Sequence, residues 1–521
     1  MPSTAALASH YHHRSYLCIM AARRSVHSTV AMSSASNRKQ AKKQQQHQDA
    51  ELQPRWAVQR MFDQPPTATG ALLTQWGRRA LAHFDQIYGP EFGPELWPSI
   101  RLALLSQPRH VAVLNRFYVN QAAAETRLLT LGAEDLAPDW RRRLQAWPES
   151  AEESFESPAA GQPHQLSERS AELKVLSYDR LEAATFAASS AAAADSRSNL
   201  NEFLPATEFI TEMDPRGRAS LALSDSAVHD GSTDDSCSLI DPADPELWLP
   251  SDQTISPTLQ VFAFPSSVQH QLMKPDGSDR WFPRPKPDQT TGLCPYLPMD
   301  LGSVAAALAL CPGDGDSVLD LCSAPGSKAY CLLQQALPGQ MLCLDKSSAR
   351  SSRLARLLSS HVPPSVLAGC SVSQLYANAL NSGAYPLNSF DRVLVDPTCS
   401  GDRHSLNDPE ADLFSGRRSK ERVGLPNTQL QLLLAGAAAC RPGASLVYST
   451  CTMSPAQNEA VVLSALAKLQ PAFKLVDLRP LASLLAGAGC RVQSRQVGLL
   501  VLPHLLANYG PSFVCKLKRV D

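Results

Sequence analysis

At 521 residues the chain is longer than one average domain and long enough to bury a sizeable core. A hydrophobic fraction of 44% and a charged fraction of 19% are ordinary for a soluble protein, and a net charge of -1 excludes a globally basic nucleic-acid binder, so any RNA surface must come from local patches. The 13 cysteines hold no C-x-x-C pair or zinc spacing, and no run of about 18 apolar residues occurs, so neither a metal centre nor a membrane span is expected.

Residues 1–48 carry Arg14, Arg23, Arg24, Arg38, Lys39, Lys42 and Lys43 among many Ser and Ala, with no acid before Asp49. Arg-rich, Ser-rich and acid-poor is the pattern of an organelle transit peptide, here read as a mitochondrial address. A disordered basic tail is the alternative. Residues 49–131 read as a small helical segment that packs on something else, with helices at 71–81 and 95–105 and an apolar run at 111–117. From 132 to 256 Ala, Ser and acids come to dominate, most plainly at 187–194 and 225–235. Few apolar anchors remain, so this is expected to be a disordered acidic insertion or linker. Structure is expected to resume in a final domain, 257–521, with a strand at 259–264. The Pro-stiffened basic stretch 281–287 reads either as a linker or as an RNA-facing strap.

Residues 318–328 read Val-Leu-Asp-Leu-Cys-Ser-Ala-Pro-Gly-Ser-Lys. A short apolar run broken by one acid, then small residues with a Pro-Gly pair, then a helix former predicts strand, tight loop and helix start. Further strands are predicted at 340–345, 371–375, 390–396 and 444–451. Helices are predicted at 349–358, 428–439 and 457–469, and a closing pair of strands at 497–502 and 512–517. Alternating strands and helices predict an α/β fold with a mostly parallel, doubly wound sheet.

Asp345 ends the second strand some twenty residues after the loop, where an acid can hydrogen-bond ribose hydroxyls; a helix N-cap is the alternative. The loop lacks the paired glycines that admit a pyrophosphate, which favours a phosphate-free ligand with ribose and adenine such as S-adenosylmethionine. Cys399 follows the fourth strand, just after Asp396, and Cys451 ends the fifth. Two thiols and a carboxylate at one sheet edge suggest covalent chemistry with a thiolate nucleophile, a proton donor and a base. Either cysteine alone would read as an inert buried thiol, and a disulfide between them is the redox alternative.

These three stretches resemble the Sun-domain family of RNA cytosine-5 methyltransferases, which carries a D-L-C-A-A-P-G-G-K loop, a D-x-P-C turn and an S-T-C turn. The resemblance extends over 296–521. Asp402-Arg403-His404-Ser405-Leu406, Gln457-Asn458-Glu459 and the N-terminal Trp97-Pro98-Ser99-Ile100-Arg101 are similar to the mitochondrial branch that methylates small-subunit ribosomal RNA. The resemblance implies a Rossmann-like S-adenosylmethionine-dependent methyltransferase sheet. It implies that Cys451 adds to C6 of the target cytosine, that Asp396 hydrogen-bonds the base, and that Cys399 assists release. Cys322, Ser323, Ala324, Pro325, Gly326, Ser327 and Lys328 would wrap the methionine end of the cofactor. Asp345 would take the ribose with Arg350 nearby, and Asn378 with Ala379 would meet the adenine, with Asp396 closing the site. Lys328 would favour the Cys451 thiolate.

Three positions depart from the family pattern. Ser327 stands at the second glycine, Asn378 at an acid, and Pro397-Thr398 precede Cys399 where proline is usually adjacent. Arg403, His404, Arg417, Arg418, Lys420 and Arg422 form a basic cluster that reads as phosphate contact or as a solvated loop. The resemblance implies RNA as substrate, ribosomal RNA favoured over transfer RNA, and a helical-repeat partner of the mitochondrial termination-factor class. A ribosome-assembly factor with dispensable catalysis is the competing class.

Overall fold

The computed structural model describes residues 75–147, 240–265, 282–376, 378–380, 383–407 and 413–521. The expected transit peptide, the Ala/Ser and acidic stretches at 187–194 and 225–235, and Trp281 lie outside them. Residues Gln75–Asp521 form one unit.

Helix α1 runs Gln75–Leu105 in two halves, the first of them extending through residue 92, where an irregular stretch was expected from residue 82. The break is a single residue, Gly93 at φ 73°, followed by Pro94, which is suited to the first turn of the second half. Asp85 in the first half accepts from Trp97 Nε1 at 3.0 Å and Arg101 Nε at 2.7 Å in the second, fixing the bend.

Strand β1 (Val111–Leu114), α2 (Gln121–Thr130), β2 (Glu134–Asp135) and α3 (Ala137–Gln145) follow. After the undescribed stretch come β3 (Trp248–Leu249), β4 (Val261–Ala263) and β5 (Tyr296–Met299). Strands β2, β4, β1 and β5 form an antiparallel sheet in that order. Two expectations are thereby corrected. The described part of the segment 49–131, residues 75–131, is not purely helical: it contains β1, which pairs with both β4 and β5. The linker expected over 132–256 contains β2, α3 and β3, and Trp140 of α3 is completely buried.

The second sheet is built from the alternating region. In chain order it continues with α4 (Leu301–Leu310), β6 (Ser317–Asp320), α5 (Ser327–Gln335), β7 (Gln340–Asp345), α6 (Ser348–Ser359), α7 (Pro364–Gly369), β8 (Val372–Tyr376) and β9 (Phe390–Val395). Next come α8 (Asp402–Asn407), α9 (Ser419–Val423), α10 (Leu425–Ala439), β10 (Cys440–Thr450), α11 (Glu459–Leu469), β11 (Phe473–Val476), α12 (Arg479–Gly487), β12 (Arg491–Arg495), β13 (Gly498–Leu502) and β14 (Ser512–Arg519). The main path is β12-β13-β14-β10-β9-β6-β7-β8, with β11 pairing β14 and β3 pairing β11. Strands β10, β9, β6, β7 and β8 are mutually parallel. All four residues of β6 are buried, as expected of a strand covered on both faces. The closing pair is antiparallel, with Leu499 opposite Val514. The expected α/β class with a parallel-rich sheet holds. Helix α4 is apolar on nearly every side and almost wholly buried, and one core runs from Val111 through α4 to Val514. No helix among the described residues is long and apolar enough to cross a membrane.

Candidate active site

Because β6, β7, β9 and β10 are parallel, their carboxyl ends share one edge. Asp320, Asp345, Asp396 and Cys451 lie at or directly after those ends. Open α/β sheets bind ligands at this edge.

The two thiols meet there. Cys399 Sγ and Cys451 Sγ are 3.1 Å apart, and the Cys451 N–H lies 3.4 Å from Cys399 Sγ. Cys399 is buried and Cys451 is exposed. The Cys451 thiol is pushed well above its ordinary range, first by its hydrogen bond with Cys399, then by burial and by the charges of Cys399 and Asp396. Lys328 pulls the other way, as expected, but it is outweighed. Its Nζ is 2.6 Å from Asp396 Oδ2 and 3.4 Å from Ser303 Oγ. Burial lowers the Lys328 pKa, and the charge and hydrogen bond of Asp396 more than restore it, so the net shift is upward. Ser449 Oγ donates to the other carboxylate oxygen of Asp396 at 2.9 Å. Lys328 therefore orients Asp396 before it tunes Cys451.

The β6–α5 loop turns at Gly326, whose φ is 109° and whose missing Cβ would fall 2.6 Å from Leu354 Cδ1 of α6. Only glycine meets both demands. Ser327 opens α5 with ordinary helical backbone, so a side chain there brings no backbone strain. The Ser323 N–H donates to Leu344 O at 2.8 Å, seating the loop on β7. Arg350 Nη2 donates to Ala324 O and lies 3.3 Å from Asp345 Oδ2, joining loop and acid. Asp345 is buried and accepts from Ser347 N at 2.9 Å, while the N-cap of α6 is Ser347 itself. Pro325 is exposed, and Cys322 is a half-buried thiol pushed far up by burial and then by the neighbouring carboxylates, hence inert. Asn378 is exposed at the edge, and its Oδ1 accepts from Leu380 N at 3.2 Å; Ala379 beside it is buried.

Asp320 was passed over as the acid that interrupts an apolar run, which was its only signal. It is buried, and neither carboxylate oxygen has a hydrogen-bond partner; the buried Ser323 hydroxyl nearby is unpartnered too. Burial pushes the Asp320 carboxyl up to about 7; Ser323 beside it opposes this most, the charge of Asp396 adds to it, and Lys328 and the Cys322 backbone oppose it more weakly. An orphaned carboxylate at the mouth of this loop calls for a cationic donor. S-adenosylmethionine carries an ammonium and a sulfonium at one end and a ribose diol suited to Asp345 at the other. The residues present fit it.

The Cys399 turn is held by Gln457, named above only for the resemblance and with no role, and by Gln429, which sequence reasoning did not single out. Gln457 Oε1 accepts from Ser400 N at 2.9 Å, its Nε2 donates to Ser400 Oγ at 3.0 Å, and Gln429 Nε2 donates to Thr398 O at 2.9 Å. The expected basic cluster is in part corrected. The Arg403 guanidinium donates to Ala103 O at 3.0 Å, Ser106 O at 3.0 Å, Gly510 O at 2.9 Å and Asn508 Oδ1 at 2.8 Å, and burial lowers its pKa to about 10. It clamps the end of α1 to the closing strands and is not a phosphate contact. Arg418 pairs with Glu421 at 2.8 Å, and Arg422 lies over the Phe414 ring at 5.3 Å. His404, Arg417 and Lys420 are exposed, as are Arg284 and Lys286 of the Pro-rich stretch.

The family model described as 16S rRNA methyltransferase RsmB/F matches residues 307–518. The 5-cytosine rRNA methyltransferase NSUN4 of Bos taurus is 32% identical over 447 residues, covering 85% of this chain and 89% of its own length. Its Mus musculus counterpart is 31% identical over 449 residues with the same coverage, 85% and 89%. The mitochondrial tRNA (cytosine(34)-C(5))-methyltransferase of Danio rerio is 38% identical over 228 residues, 43% of this chain and 61% of its own length. The chain belongs to the RsmB/F, or Sun-domain, family of S-adenosylmethionine-dependent RNA cytosine-5 methyltransferases.

Proposed function

We propose that the chain methylates C5 of a cytosine in small-subunit ribosomal RNA of the mitochondrial matrix and so supports mitochondrial ribosome assembly. The observation that carries the chemistry is the pair of sulfurs 3.1 Å apart beside Asp396. Cys451, exposed and at the end of an interior strand, is the nucleophile. As the Cys451 sulfur adds to C6, its S–H bond breaks and the proton passes by way of Asp396 to N3 of the base, so the C5–C6 double bond opens and C5 becomes electron-rich. The target base must leave its stack to reach it. Asp396, held by Lys328 and Ser449, hydrogen-bonds the cytosine at N3 and the exocyclic amine. S-adenosylmethionine, when bound, supplies the methyl group. Cys399 then assists loss of the C5 proton and rupture of the Cys451–C6 bond. Asp320 and Ser323 would face the cationic methionine end of the cofactor and Asp345 with Arg350 its ribose. Asn378 and Ala379 lie where the adenine would fall.

Ribosomal RNA is favoured because three relatives named for it, those of Mus musculus, Bos taurus and Caenorhabditis elegans, match along 85% of the chain, whereas the transfer-RNA relative of Danio rerio matches 43%. The net charge of -1 and the structural use of Arg403 leave few cations for a long RNA footprint. That supports a helical-repeat partner of the mitochondrial termination-factor class that brings RNA affinity. Bisulfite sequencing of mitochondrial RNA with and without the protein tests the function. One cytosine in the small-subunit RNA is expected to lose its methyl mark. An unchanged map sinks the proposal, and a loss confined to transfer RNA selects the alternative substrate.

Cofactor affinity is expected to depend on pH through Asp320. Its carboxyl is neutral below about 7, and a cationic ligand prefers the ionised form. Binding should therefore strengthen as pH rises, by up to about tenfold per unit between roughly pH 5 and 7. Calorimetric titration of S-adenosylmethionine should show this slope, and Asp320→Asn should bind more weakly and flatten it. A wild-type profile flat across that range would remove Asp320 from the cofactor site.

A further inference from the structure

Asp402 opens α8, three residues after Cys399, and is completely buried. Its Oδ1 accepts from Ser400 Oγ at 3.1 Å and Thr452 Oγ1 at 2.8 Å. Its Oδ2 accepts from Met453 N at 2.8 Å and from the Tyr88 hydroxyl at 3.0 Å. Ser400 belongs to the turn that carries Cys399, Thr452 and Met453 directly follow Cys451, and Tyr88 lies in α1. The Asp402 N–H also donates to Cys451 O at 3.3 Å, and Ser400 Oγ donates to Thr452 Oγ1 at 2.8 Å. One carboxylate thus ties the two cysteine turns to each other and both of them to the N-terminal helix. Burial raises its pKa to about 6 in spite of the hydrogen bonds that lower it, so the fold keeps a charge there against a desolvation cost.

The two thiols are not held alike. Cys451 directly follows β10, which is paired on both sides, with Tyr448 opposite Val395 and Thr450 opposite Phe513. Cys399 lies on an irregular turn outside any strand, fixed by Gln457, Gln429 and the Asp402 network. Because Cys451 is also anchored by the strand behind it, loosening that network is expected to displace Cys399 more than Cys451. A displacement of about 1 Å is enough to cost a reaction step on the order of a hundredfold.

We propose that Asp402, braced by Tyr88, is a positioning residue for the release step: it holds Cys399 against Cys451, so that α1 takes part in turnover without touching the reacting atoms. The inference rests on the reading of Cys451 as nucleophile and Cys399 as release group.

The test compares Asp402→Asn, Tyr88→Phe and Cys399→Ser in the full chain on unmodified ribosomal RNA. It measures steady-state methylation and the fraction of protein recovered as a denaturation-resistant RNA adduct. Asp402→Asn is expected to lower kcat about tenfold or more with KM within about twofold, while the adduct fraction rises several-fold. Tyr88→Phe removes one hydroxyl oxygen and no packing, so it keeps the question open to test if Asp402→Asn folds poorly. It should move both quantities the same way by about two- to threefold. Adduct and turnover falling in proportion, as when folded protein is merely lost, would overturn the positioning role, as would no change in either. Adduct with Cys399→Ser but with neither other variant overturns it too and leaves the reading of the cysteines standing. No adduct even with Cys399→Ser removes that reading, and this inference with it.

Discussion

Cys451→Ala is expected to abolish RNA methylation, by about 10^4-fold or more, the scale on which loss of a covalent nucleophile is felt. C5 of cytosine is a poor nucleophile until a thiolate adds at C6, and the neighbouring thiol, Cys399, is buried where Cys451 is exposed. Loss of fold is not the cause expected, because Cys451 is exposed and its truncation opens no core cavity. Its melting temperature should stay within a few degrees of the wild type. Transfer of labelled methyl groups to ribosomal RNA reads the effect. Residual activity within tenfold of the wild type would exclude Cys451 as nucleophile. The same variant separates the enzyme from an assembly factor with dispensable catalysis: ribosome assembly that survives without 5-methylcytosine would favour the scaffold role.

Cys399→Ser is expected to act in the opposite sense on the covalent intermediate. Cys451 still attacks, but the step that breaks the Cys451–C6 bond loses its thiol, and a serine hydroxyl at the same place is a far weaker acid and base. Protein should accumulate as an RNA adduct that survives denaturation and migrates as a shifted band, while turnover falls by about a hundredfold or more. Cys399→Ser combined with Cys451→Ala should give no shifted band. Reduced turnover with no adduct in the single variant would exclude Cys399 as the release group. The 3.1 Å separation supports the proposed division of labour, since a group that assists release must already lie beside the sulfur that leaves.

The raised pKa of Cys451 bears on both results. In the resting site the thiol is protonated and shares its proton with Cys399, so the attacking thiolate is generated in the reaction. The family resemblance had suggested a thiolate prepared in advance by Lys328, which lies far from Cys451 in the chain. A sequence does not show which anion holds a distant cation, and here that anion is Asp396 at 2.6 Å.

The alternation of short apolar runs with helical stretches from 317 to 502 was enough to determine the parallel-rich α/β sheet. Both periodicities are local, and burial on both faces leaves a short continuous apolar stretch in each of these strands, Val318-Leu319, Met341–Leu344 and Val393–Val395. It was also enough to place Asp345, Asp396, Cys399 and Cys451 at or just after strand ends, since a residue's position along its own strand is a local property. Only the tertiary structure decided the rest. Strand β1 is four buried residues long and finds its partners some 150 and 185 positions further on, so nothing in its own stretch distinguished it from part of a helical segment. Arg403 looked like a phosphate contact in a run of basic residues, yet it is satisfied by carbonyls about 300 and 100 residues away. Asp320 and Asp402 were single acids in an apolar strand and a polar turn. One is orphaned and the other fourfold bonded, a difference made by packing around them and invisible in the chain itself. Local pattern settles which elements form and what chemistry they can carry. Partners distant in sequence settle which charges are neutralised, which are left to meet a ligand, and how closely the two sulfurs are held.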